Sequence, residues 1–93
     1  MYTVYLADDE QLIREGLAET IPWESLRMRL VGTAEDGRHA LRGIREHKPD
    51  IVLTDIRMPQ MTGLELIDEA KKIRKDIKSV IISGYGEFEL AKK

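Results

Sequence analysis

A chain of 93 residues makes one domain with a modest core, since folding at this size buries only about 60–65% of the surface the unfolded chain exposes. Its 42% hydrophobic and 34% charged content is that of a globular domain rather than a disordered one. The balance of 15 basic and 17 acidic residues gives no global pull toward nucleic acid or anionic lipid, the lack of cysteine excludes disulfides and thiolate metal sites, and no apolar run suits a membrane span or a signal core.

In chain order, residues 3–7 (TVYLA) read as a strand rich in β-formers that ends at Asp8 and Asp9. From 10 to 20, the apolar residues Leu12, Ile13 and Leu17 recur at helical spacing. The helix stops at Ile21-Pro22-Trp23, because proline disfavours α geometry in the residue before it, and Trp23 is expected to pack against the helix end. Residues 30–34 (LVGTA) form a weaker strand whose Gly32 and Thr33 suit a sheet edge. Asp36 is placed to cap a helix carrying Ala40, Leu41 and Ile44 that ends before Pro49. His39 and His47, on that helix, have no partners at metal-ligand spacing and read as surface histidines.

Ile51, Val52 and Leu53 are apolar at successive positions, so this strand expects cover on both faces, as in a parallel sheet. Met58-Pro59 shapes the loop that follows. Thr62 and Glu65 have the spacing of a capping box, opening a helix with Leu64, Ile67 and Ile73 inward. The basic cluster of Lys71, Lys72, Arg74, Lys75 and Lys78 reads as a solvated face. Residues 79–83 (SVIIS) form another strand buried on both faces, and a last helix opens near Glu87.

Strand and helix alternating in this rhythm imply right-handed crossovers and an α/β, doubly wound parallel sheet. Ligands of such sheets bind beyond the carboxyl ends of the strands, where this chain carries Asp8, Asp9, Asp55 and Ser83. Three carboxylates crowded at one edge repel, and a hard divalent cation relieves the repulsion. With that charge compensated, Asp55 suits nucleophilic attack on phosphorus, and the Ser83 hydroxyl suits a hydrogen bond to the arriving group.

Three segments carry a family resemblance: L-A-D-D-E (6–10), I-V-L-T-D-I-R-M-P-Q-M-T-G-L (51–64) and V-I-I-S-G (80–84). Together and in this order they resemble the receiver domains of bacterial two-component response regulators. The resemblance implies a flavodoxin-like sheet of strand order 2-1-3-4, with Asp55 as phosphoacceptor. Asp8, Asp9, Asp55 and the main-chain carbonyl of Arg57 would hold Mg²⁺ or Mn²⁺. Ser83 would be the switch hydroxyl, beside the small Gly84.

The implied donor is a phosphohistidine on a sensor histidine kinase, and the domain is a cytoplasmic switch rather than an enzyme. I-P-W-E-S-L (21–26) and S-G-Y-G-E-F-E (83–89) resemble the branch with an AraC-type output, which would control transcription. DNA would then be met through a separate output domain, with no nucleic-acid or membrane contact by this chain itself. The family continues with a fifth strand, ending in a lysine, and a fifth helix, neither present in this sequence. Residues 1–93 are therefore read as one receiver domain, C-terminally incomplete, whose exposed fourth strand invites self-association. The rival reading is a phosphatase with an aspartyl nucleophile. It expects D-x-D after the first strand, where this chain has Asp8-Asp9-Glu10.

Overall fold

Strand and helix formers alternate as β1 (Tyr2–Ala7), α1 (Gln11–Thr20), β2 (Met28–Ala34), α2 (Gly37–His47), β3 (Ile51–Asp55), α3 (Gly63–Ile73) and β4 (Lys78–Ile82). The computed structural model describes residues 1–82; Ser83, Gly84 and the helix expected from Glu87 lie outside the described residues. All strand pairs are parallel, in the order β2-β1-β3-β4. The weak strand with Gly32 and Thr33 occupies an edge, as expected. Right-handed crossovers run outward from β1 to β2 and then back across β1 to β3, which puts α1 on one face and α2 with α3 on the other.

The α2–α3 face holds the main core. Tyr5, Ala7, Ala34 and Val52 of the sheet meet Ala40, Leu41 and Ile44 of α2, and Leu66 and Ala70 of α3. Burying a side chain such as Leu66 or Ile44 contributes about 1.5–3 kcal/mol. The starts of α2 and α3 are determined locally, whereas Glu10 before α1 makes no side-chain cap bond. The Asp36 carboxylate accepts from the His39 amide at 2.8 Å. At α3 the capping box is complete: the Glu65 amide donates to Thr62 Oγ1 (3.2 Å) and the Thr62 amide to Glu65 Oε1 (2.9 Å). Trp23 packs as expected, its Nε1 donating to the Ala18 carbonyl at 3.0 Å.

Three expectations need correction. Leu64 faces solvent, and α3 instead buries Gly63, Leu66 and Ala70. Of the other two residues expected inward, Ile73 packs against the core and Ile67 is half-buried; at the helix start it is Gly63, set against the Asp55 carbonyl, that turns inward and leaves Leu64 outside. Leu12 is 85% exposed, and α1 buries no residue fully. The apolar run in β4 is not covered on both faces. Among the described strands β4 pairs only with β3, and Val80 is 49% exposed.

At the amino end of the sheet, away from the strand tips, the Asp50 carboxylate accepts from the Thr3 amide (2.8 Å) and pairs with Arg74 (2.8 Å). Arg74 also pairs with Asp76 (2.8 Å) and donates to the Lys48 carbonyl (3.2 Å), so this member of the basic cluster is a clip rather than a solvated charge.

Candidate functional site

Parallel register decides which side chains meet at the carboxyl edge. Ala7 lies opposite Thr54 on β3 and Ala34 on β2, so the residues that follow, Asp8 and Asp55, emerge side by side. One carboxylate oxygen from each of Asp8, Asp9 and Asp55 lies within 4.8 Å of the others. Asp8 and Asp55 are buried, while Asp9 is exposed at the mouth.

The loops hold these acids by backbone bonds. Asp8 Oδ1 accepts from the Glu10 amide at 2.9 Å, folding the chain tightly into α1, and the Asp8 amide donates to the Ala34 carbonyl at 3.1 Å. Asp55 Oδ1 accepts from the Ile56 amide at 2.7 Å. Thr54, buried beneath the site, donates its hydroxyl to the Asp55 carbonyl (2.9 Å) and to the Met58 sulfur (3.7 Å). Met58 is thus buried, and the Pro59 carbonyl accepts from the Gly37 and Met61 amides at 3.3 and 2.8 Å; this pair shapes the loop, as expected. The Gly63 amide closes the loop onto the Ile56 carbonyl at 2.7 Å.

Burial pushes the Asp8 carboxyl above the usual carboxylate range, and the charge of Asp9 adds to the rise; the Glu10 amide and the Arg14 guanidinium oppose it. Sequence reasoning had not singled out Arg14, whose Nη1 donates to the Asp8 main-chain carbonyl at 2.9 Å. Its only signal was its position, one and a half helical turns past the acid pair.

The donor set fits a small hard cation. Three carboxylate oxygens within 4.8 Å of one another would offer Mg²⁺ the hard oxygen ligands it favours, and its charge would relieve their repulsion. Arg57 is two residues beyond Asp55 in the same loop, and Ser83 lies outside the described residues.

His39 corrects a further expectation. It does have acid neighbours, since Glu35 and Asp36 offer oxygens within 4.8 Å of its ring. Glu35 and His39 are exposed and Asp36 half-buried; His39 Nδ1 is bonded to Glu35, and Asp36 serves as helix cap. The His39 hydrogen bond holds the Glu35 carboxyl below its ordinary range.

A parallel sheet of order 2-1-3-4 with an acid triad at its carboxyl edge defines the flavodoxin-like class of doubly wound α/β domains. Within that class, residues 4–93 match the response regulator receiver domain, and the chain belongs to that family. It is 45% identical over 93 residues to the uncharacterized transcriptional regulatory protein YesN of Bacillus subtilis, covering all of this chain and 25% of the relative. A relative from Staphylococcus epidermidis, an uncharacterized response regulatory protein, is 46% identical over 92 residues, with 36% of its length covered. The chain thus spans between a quarter and about a third of the length of these curated relatives. The solved REC domain of AraT, a response regulator from Geobacillus stearothermophilus, superposes with a TM-score of 0.88 at 40% identity, over 98% of this chain and 70% of that one. Among the described residues no helix is long and apolar enough to cross a membrane.

Proposed function

We propose that Asp55 accepts a phosphoryl group, and that Asp8 and Asp9, with Asp55 and the Arg57 carbonyl, hold a divalent cation beside it. The observation that carries this reading is the convergence of three carboxylates from two strand ends within 4.8 Å, two of them buried. Burial without a compensating cation is costly for such a group, and the raised pKa of Asp8 is the sign of that cost.

The donor is a phosphohistidine on a sensor histidine kinase. An Asp55 carboxylate oxygen attacks phosphorus in line as the P–N bond breaks; the bonding pair returns to the imidazole nitrogen, which takes a proton from solvent. Mg²⁺ or Mn²⁺, when bound, neutralises the equatorial oxygens of the transferring group. The Ile56 amide and the Gly63 contact keep Asp55 in place during the attack, while burial keeps water from competing with it for the phosphoryl group. Ser83, one residue past the end of β4, donates its hydroxyl to the new phosphoryl oxygens and links their arrival to a change of conformation.

Residues 1–93 act as one switch domain, and its similarity to transcriptional regulators favours a cytoplasmic role upstream of an AraC-type DNA-binding output. The exposed apolar edge of β4 supports self-association, checked by light scattering; a monodisperse monomer of intact mass would overturn that part.

The central test is incubation of the chain with acetyl phosphate and Mg²⁺, read by intact mass. The expected result is one phosphoryl adduct that disappears with EDTA and in Asp55→Ala. An adduct that survives Asp55→Ala assigns the acceptor elsewhere and overturns the reading. Turnover of a phosphate monoester that is abolished in Asp8→Ala would favour the phosphatase instead.

A further inference from the structure

The chain is acidic overall, yet one face of α2 runs against that balance. Arg38, Arg42 and Arg45 lie at i, i+4 and i+7, and therefore on one side of the helix. All three are exposed, and among the described residues none makes a side-chain hydrogen bond or an ion pair. The acids near them are engaged elsewhere: Glu35 binds His39, and Asp36 caps the helix through the His39 amide.

The arginines line a groove of about 710 Å³ between α2 and the loop that follows β3, with half-buried Met61 at its edge. The groove has a firm wall. The Gly37 amide donates to the Pro59 carbonyl, and Gly37 packs so close to Met61 that a Cβ there would overlap the Met61 backbone.

We propose that this groove docks an acidic amphipathic helix of a protein partner. Spacing argues for a helix. From Arg38 to Arg42 the rise is about 6 Å and from Arg42 to Arg45 about 4.5 Å, which acids at i, i+4 and i+7 of a facing helix reproduce. Alternate residues of an extended segment fall about 6.6 Å apart, and they match only the first interval. Half-buried Met61 gives an intervening Leu or Met an apolar contact, which a bare arginine track for nucleic acid does not need. This inference goes beyond the phosphoacceptor reading and does not depend on it.

The test is a titration of the ¹⁵N-labelled 93-residue chain with an alanine-based helical peptide carrying Glu at i, i+4 and i+7 and Leu at i+3. Amide shifts are expected at 36–45, 60 and 61, with binding weakened by added salt. Combined Arg38→Gln, Arg42→Gln and Arg45→Gln substitution, with folding checked by circular dichroism, is expected to lower affinity about tenfold. Lys71→Gln, Lys72→Gln and Lys75→Gln together should leave it unchanged. Arg42→Glu should lose the peptide and regain a version with Lys at the central acid position. The proposal is overturned by shifts elsewhere or none, by equal binding of a peptide with its acids at i, i+2 and i+4, or by equal loss in the lysine variant. Tighter binding of a short DNA duplex would assign the groove to nucleic acid instead.

Discussion

Gly63→Ala tests whether the loop after Asp55 is held by close packing rather than by local propensity. Gly63 is the first residue of α3, and no described glycine has a positive φ, so the backbone there suits alanine. Propensity alone therefore forecasts a gain of about 0.5–1 kcal/mol, chiefly by restricting the unfolded chain. The packing forecasts the reverse. A Cβ at Gly63 would overlap the Asp55 carbonyl oxygen and lie 2.9 Å from its carbon and 3.2 Å from Ile56 Cα, all of them backbone atoms.

Such atoms cannot rotate aside, so the loop or the helix must shift, at a cost of about 3 kcal/mol. For a chain of this length that lowers the thermal midpoint by about 12–24 °C. Gly16→Ala is the matched control, since a Cβ there meets nothing within 4 Å in the middle of α1, and the midpoint should rise by a few degrees. Calorimetry or circular dichroism melts of the two variants give opposite signs if the reasoning holds. A Gly63→Ala midpoint at or above wild type would refute it.

Further outcomes follow from the same contacts. In EDTA, Asp8→Asn should raise the midpoint, because it removes a charge whose burial is unfavourable and keeps an oxygen for the Glu10 amide; a lower midpoint would contradict the crowding argument. The Asp50 carboxyl is held below its usual range, first by the Thr3 amide and then by Arg74. Its contribution is therefore present above the ordinary carboxylate pKa of about 4 and lost as pH falls through the depressed value. Urea midpoints of wild type and Asp50→Asn should differ at pH 7 and converge toward pH 2; a constant gap would sink the assignment. Thr62→Ala should cost about 1 kcal/mol in urea unfolding through loss of the capping box, and no change would show the box to be incidental.

Local chemistry was readable in advance. Asp36 and the Thr62–Glu65 pair announce helix starts because a cap needs only residues within three positions of it. The apolar segments announce strands in the same way, and acids at the strand ends announce the site, since a parallel sheet brings those ends to one edge. Asp8, Asp9 and Asp55 were thus named from the sequence, and strand register then set them side by side.

What the tertiary structure alone decided depends on atoms far apart in the chain. The phase of α3, and so the choice of Leu66 over Leu64 for the core, follows from one approach of Gly63 to the Asp55 carbonyl, which no periodicity encodes. The tie from Thr3 to Asp50 spans 47 residues and has no local signature. The exposure of β4 is likewise a property of its neighbours: Val80 and Ile82 have the same apolar character in the middle of a sheet as at its edge. Composition and spacing determine which groups seek burial or charge, whereas the meeting of distant surfaces determines which of them obtain it.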